Sequence, residues 1–152
     1  MMSEIEDKIR RVKKSLRSIN YVVGDVSAKE LVDYMCGETF SSDKTTLGDV
    51  LGNEYLLVHE VVEIGELKKM GRRIDRHVIV DSPKIIIYSA HLTALEVELS
   101  YALYKKDFDW IRMRLKQFKD SVLENDPYLP AELRPQAIIL FHKFCSIVGL
   151  FK

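Results

Sequence analysis

The stretch from Thr45 to Gly71 reads TTLGDVLGNEYLLVHEVVEIGELKKMG, and its interpretation decides the fold. Leu47, Val50, Leu51, Tyr55, Val58, Val61, Val62 and Ile64 fall at helical spacing over an arc too wide for a surface helix with a single buried stripe. One long, central helix is expected. Gly48 and Gly52 lower its helix propensity and open its backbone to close approach. It is expected to stop at Gly71, where Lys68, Lys69, Arg72 and Arg73 suit the exposed carbonyls of a helix C-terminus.

On the N-terminal side, Ser3 to Glu6 has the form of a capping box, and Ile5, Ile9, Val12, Leu16 and Ile19 then mark a narrow apolar seam. The other face of that first helix carries Lys8, Arg10, Arg11, Lys13, Lys14 and Arg17. It is either a solvated face or a phosphate-contacting patch. Ser27 to Glu30 repeats the capping-box pattern and opens a short second helix ending near Gly37. A polar connection, Glu38 to Lys44, offers Ser41, Ser42 and Asp43 as caps for the long helix.

On the C-terminal side, Arg76 to Asp81 fits strand or helix, and Ser82-Pro83 opens a second long helix to Tyr104 that carries His91, Glu96 and Glu98. Asp107 or Asp109 caps a further helix ending near Asn125, with Arg112, Arg114, Lys116 and Lys119 on its exposed side. Pro127, Pro130 and Pro135 mark a loop with room for one helical turn. The segment Gln136 to Val148 is apolar on nearly every side, as the centre of a core or an oligomer interface would be. Helical period throughout, with no sustained alternation of period two, predicts an all-α protein with a single domain over residues 1–152.

Composition agrees: 47% hydrophobic and 30% charged residues are globular proportions, not those of a disordered chain. Lys plus Arg and Asp plus Glu both total 23, so any surface for nucleic acid must be local. The two cysteines, Cys36 and Cys145, make neither a zinc knuckle nor a disulfide framework, and both read as small core residues. No apolar run reaches the length of a membrane span and no leader segment is recognisable, so a cytoplasmic location is expected.

Leu47-Gly48-Asp49-Val50-Leu51 on a long helix, with Glu96 on a later one, resembles the catalytic domain of the ribonuclease III family over roughly Phe40 to Tyr104. The resemblance implies a homodimeric endonuclease acting on double-stranded or structured RNA. It further implies that Asp49 and Glu96 hold Mg2+ or Mn2+, an ion able to activate water and stabilise a leaving oxygen. On that reading Lys13, Lys14, Lys68, Arg72 and Arg73 serve RNA phosphates. Ser42, Thr45 and Thr93 stand where the family has acidic residues. With part of the carboxylate set replaced, a non-catalytic dimeric RNA- or protein-binding domain is the alternative. Read without the family, Asp49 is an acid near a helix N-terminus and Glu96 a buried or half-buried acid paired with Arg or Lys.

A competing centre lies in His59-Glu60-Val61-Val62-Glu63. His59 and Glu63, four apart on one helical face, are placed to ligate a transition metal together with His91 or Glu96, as in a helical metal-dependent hydrolase. The segment lacks the second His of the His-Glu-x-x-His pattern. Glu60 and Glu63 are similar to the Glu-x-x-Glu of all-α nucleotide pyrophosphatases, but Leu99 and Tyr101 stand where a second acidic pair would be completed. A partly buried, hydrogen-bonded His59 is the plain alternative.

Overall fold

The structure is a computed structural model and describes residues 1–150. Among them every regular element is helical: α1 (Met2–Leu16), α2 (Ala28–Met35), α3 (Leu47–Leu51), α4 (Glu54–Lys69), α5 (Val78–Asp81), α6 (Lys84–Tyr104), α7 (Phe108–Phe118) and α8 (Arg134–Val148), with short 3-10 or π turns after α1, after α7 and before α8. No helix among the described residues is long and apolar enough to cross a membrane.

The central helix is α4, as its broad apolar arc predicts. Ten of its residues are buried, among them Val58, Val61, Val62, Ile64 and Leu67. Its most extensive partner is α6, with α1 and α2 packed on other sides; α7 lies against α6 and α8. Burial of the α1 seam, Ile5, Ile9, Val12 and Leu16, fixes that helix to the core, each side chain contributing about 1.5–3 kcal/mol.

The Thr45 to Gly71 stretch is not one helix. It breaks at Gly52-Asn53, where Gly52 closes α3 and Asn53 turns extended (φ −139°, ψ 120°) to cap α4, its side chain accepting the Leu56 N–H at 3.0 Å. An Asn side chain satisfies an orphan N–H that a continuous helix would pair through its own backbone, so Asn in this place starts a helix. At the other end α4 stops at Lys69, and Gly71 follows in the left-handed region (φ 85°), which glycine adopts without steric cost.

Two expected caps also move. Helix α1 begins at Met2 with no side-chain cap, which puts Ser3 inside it. Glu6 instead accepts the Ala28 N–H at 2.7 Å and so helps cap α2, whose own Ser27–Glu30 capping box forms as expected. Neither Ser41, Ser42 nor Asp43 caps α3; Thr46 does so, in a capping box with Asp49. The ambiguous Arg76 to Asp81 segment ends in the helical turn α5, and Asp107 caps α7. Helix α8 buries Ala137, Leu140, Phe144, Cys145 and Val148, while Ile139 and Ile147 are exposed, so it has one core face rather than being buried all round.

The loop between α2 and α3 is tied down at its start. Glu38 N–H donates to the Arg76 carbonyl at 2.7 Å and the Arg76 guanidinium returns a bond to the Cys36 carbonyl at 2.8 Å. Gly37 sits in this clasp, and a Cβ there would lie 2.5 Å from the Arg76 carbonyl oxygen and 2.8 Å from that of Asp33. Both obstacles are backbone, so Gly37→Ala is expected to cost about 1–3 kcal/mol in urea or thermal unfolding, as overpacking does. A variant as stable as the parent would show that the clasp is not rigid.

Candidate metal centre

The core of α4 and α6 is not wholly apolar. His59, Glu63 and Glu98 are buried there, at 2%, 6% and 0% exposure. Helical phase explains how they meet. Glu63 follows His59 by four residues on α4, so the two share a face; Glu98 follows His91 by seven on α6, so these share another, and the two faces meet where α4 and α6 pack.

Three candidate ligand atoms converge. His59 Nε2 lies 3.2 Å from His91 Nδ1 and 3.7 Å from Glu63 Oε2, and His91 Nδ1 lies 3.4 Å from Glu63 Oε1. All three groups place a donor atom within 4.8 Å of the others, and the 3.2, 3.4 and 3.7 Å separations are close to those of ligands held about 2.0–2.2 Å from a common ion. In the structure as it stands these contacts make a hydrogen-bonded network, since one ring nitrogen must donate to the other. The His91 side chain, at 28% exposure, is the outermost of the three.

Electrostatics bind the network. Burial works against the charge on Glu63, but the hydrogen bond and charge of His91 hold its carboxyl below the usual range. Burial likewise opposes protonation of His91, and the Glu63 hydrogen bond and charge overcome it, so His91 titrates above an ordinary histidine. Glu60, half-buried beside Glu63, is pushed the other way: burial first, then the neighbouring Glu63 carboxylate, hold its carboxyl well above the usual range. Tyr34 of α2 is buried against the same two acids, and burial followed by their charges pushes its phenol up.

Behind His59 stands Glu98. Its oxygens accept from His59 Nδ1 at 2.9 Å, Trp110 Nε1 at 2.7 Å, and Arg114 Nε and Nη2 at 2.6 and 2.8 Å. Burial alone would raise its pKa; the hydrogen bonds of His59 and Arg114 and the charge of Arg114 instead bring it down to about 2. Arg114 therefore leaves the exposed side of α7, where its sequence neighbours Arg112, Lys116 and Lys119 remain, and turns inward to neutralise a fully buried acid.

No family model, curated protein or solved structure matches the chain. The role of the site therefore follows from its own geometry, as does that of the other expected site residues.

Asp49 is exposed and completes the α3 capping box, its side chain accepting the Thr46 N–H at 3.0 Å; Glu96 is exposed and pairs with Lys143 at 2.9 Å. The structure gives these two acids separate partners, and neither belongs to the His59, Glu63 and His91 group. On α6, Glu96 is two residues before Glu98 and so points about 200° away from it. Among the expected phosphate-binding cations, Lys68 is engaged by Glu30 at 3.0 Å and the Asp25 carbonyl at 2.6 Å, and Arg72 by Ser82 at 2.8 Å. Arg73 is exposed, as is Lys14, and Lys13 is half-buried.

Sequence reading names His59, Glu63 and His91 but misses the support supplied by Glu98, Trp110 and Arg114. One signal is available: Glu98 lies in phase with His91, on the apolar side of α6.

Acid should expose the Glu98 ion pair. A folded pKa depressed from the ordinary 4.5 to about 2 contributes stability that is fully present above 4.5 and is lost as pH falls through 2. The contribution is about 3 kcal/mol. Glu98→Gln, which leaves the half-buried Arg114 without its carboxylate, is expected to be about 3–5 kcal/mol less stable at neutral pH, with the gap closing toward pH 2. Urea unfolding of both proteins across that range checks this, and a gap independent of pH would contradict it.

Proposed function

We propose that the domain binds one divalent transition-metal ion through His59 Nε2, Glu63 and His91 Nδ1, and that the ion serves a hydrolytic reaction. The observation that carries this reading is the convergence of two imidazole nitrogens and one carboxylate within 4.8 Å, with His59 and Glu63 buried and His91 half-buried. A set of two imidazoles and one carboxylate leaves coordination positions open for water or substrate, and imidazole suits zinc, iron or cobalt. Mg2+, which takes oxygen ligands, fits this donor set less well than Mn2+. A metal bound here would supply a water of lowered pKa as the nucleophile.

Glu60 is the residue beside this centre with a proton to exchange. It follows His59 directly, it is half-buried, and burial and the Glu63 charge hold its carboxyl well above the usual range. A cation on Glu63 would relieve that repulsion and leave Glu60 able to take a proton. With an ion bound, it would serve as the acid–base partner of the water.

Calorimetric titration with Zn2+, Co2+ and Mn2+ tests the binding. One ion per chain is expected. His59→Ala, Glu63→Gln and His91→Ala should each weaken it by more than the roughly 10–100-fold typical of outer-shell changes, while Asp49→Asn and Glu96→Gln leave it unchanged. With bis-p-nitrophenyl phosphate or a p-nitrophenyl ester as probe, Glu60→Gln should retain the ion and lose about 100–10,000-fold in turnover. Binding that survives all three ligand substitutions would sink the assignment.

A second reading, engagement of structured RNA, is favoured by one feature. Among the described residues, Arg11, Lys13, Lys14 and Arg17 take part in no salt bridge, and they line, with Arg10 and Asp7, a depression of about 340 Å³ along α1. Four phosphate contacts would give a slope of about −3 to −4 in log affinity against log salt with a duplex RNA probe. A variant with Lys13 and Lys14 replaced by Glu should bind more weakly and with a shallower slope. Binding insensitive to salt would remove the reading.

A further inference from the structure

We infer that Glu98 is a positioning residue of the metal centre: it fixes the tautomer of His59 so that the Nε2 lone pair faces the Glu63 and His91 donors before any ion arrives. The inference rests on the metal reading for its purpose, though not for its geometry.

Lone pairs decide which way the proton lies. An ionised carboxylate offers about four acceptor positions and no donor. Glu98 has four N–H partners at 2.6–2.9 Å, two on each oxygen: His59 Nδ1 and Arg114 Nη2 on Oε1, Trp110 Nε1 and Arg114 Nε on Oε2. Arg114 and Trp110 have no lone pair to offer the carboxylate, so all three of their bonds run toward it. A saturated, anionic Glu98 can only accept from His59. Nδ1 of His59 must carry a proton, and in the neutral ring Nε2 is then the atom left with a lone pair.

That lone pair points to His91 Nδ1, 3.2 Å away. With Nε2 accepting, the proton between the rings belongs to His91, whose Nδ1 is also 3.4 Å from Glu63. One proton thus holds the place at which the three ligands converge. Rotation of the His59 ring is opposed because it would strand the buried Glu98 lone pair and the His91 donor together. Arg114 and Trp110 have a distinct role: they keep Glu98 charged and aligned, so neither needs to touch the metal to matter.

Glu98 is also excluded as a ligand itself. All four of its acceptor positions are occupied, and turning toward the ion would break a buried pair with Arg114. The centre therefore has three protein ligands and an outer carboxylate, a division of labour that the identities of the residues alone do not reveal.

Nitrogen-15 NMR of the histidine rings in the metal-free protein reads the tautomer directly, with Zn2+ titration as the second measurement. The parent protein is expected to show His59 protonated at Nδ1 and bare at Nε2. Glu98→Asp keeps the charge for Arg114 but withdraws the carboxylate from His59; it should mix the tautomers and weaken Zn2+ binding by about 10–100-fold. Glu98→Gln should do the same at greater cost in stability, and the Asp variant decides the matter if the Gln variant does not fold. Glu96→Gln, at an exposed acid paired with Lys143 and outside this network, should keep the tautomer and bind Zn2+ within a few-fold of the parent. A parent His59 carrying its proton on Nε2 would overturn the inference. So would a Glu98→Asp protein with unchanged tautomer and unchanged Zn2+ affinity, since a carboxylate serving only as the partner of Arg114 would behave that way. Loss of the metal reading alone would appear differently, as a parent protein with the expected tautomer and no Zn2+ bound.

Discussion

A carboxylate with no exposed surface cannot remain charged unless the protein replaces every water it has lost, and Glu98 meets that condition with four N–H donors from two neighbouring helices. His59 comes from α4, Trp110 and Arg114 from α7, and Glu98 itself from α6. The three helices are thereby held in one register at one point. Apolar packing permits sliding at modest cost, whereas a shift that separates Glu98 from Arg114 leaves two buried charges unpaired. The position of the neighbouring His59, Glu63 and His91 atoms follows from this constraint, because α4 and α6 cannot move apart without breaking it.

The helices are legible in the sequence because amphipathic spacing is a local property. Ile5, Ile9, Val12 and Leu16, and likewise Ile111, Leu115 and Phe118, are buried as their period requires. The break at Gly52-Asn53 escapes the same reading, although a glycine followed by a capping residue is a stop and a start in succession. The apolar residues on either side stay close enough to helical phase to conceal it. Caps mislead for a related reason: Ser3 and Asp43 are competent cap residues, but Met1 and Thr46 occupy the positions where α1 and α3 begin.

For the site, legibility ends where partners become non-local. The pair His59 and Glu63 follows from a four-residue spacing. Selecting His91 over Glu96 as their companion depends on which face of α6 meets α4, and that is a property of packing. Arg114 is harder still. It sits among Arg112, Lys116 and Lys119 on a helix with one clear apolar stripe, and only its place at the edge of that stripe, one residue before Leu115, allows it to turn inward. An inward-turned arginine has no local signature; it is explained by the acid it reaches, sixteen residues away on another helix.

The remaining charges around the centre do not balance as neatly as the Glu98 pair. With Glu98 offset by Arg114, Glu60 and Glu63 are left to share the positive charge of His91, and burial with the Glu63 charge holds the Glu60 carboxyl well above its usual range. Two carboxyl groups side by side in a poorly solvated place resist ionising together, and the usual relief is protonation or a cation. Without an ion, the relief is the raised affinity of Glu60 for a proton. A divalent cation would provide the same relief with more charge, since two imidazole nitrogens and a carboxylate already lie within reach of one another. The burial that makes this cluster expensive as a purely structural element also strengthens its attraction for an ion, because in a medium of low polarity the field of Glu63 is weakly screened. Selectivity then comes from the imidazoles: a hard ion would gain the charge of the acids but little from His59 and His91, whereas a borderline ion gains from all three ligands.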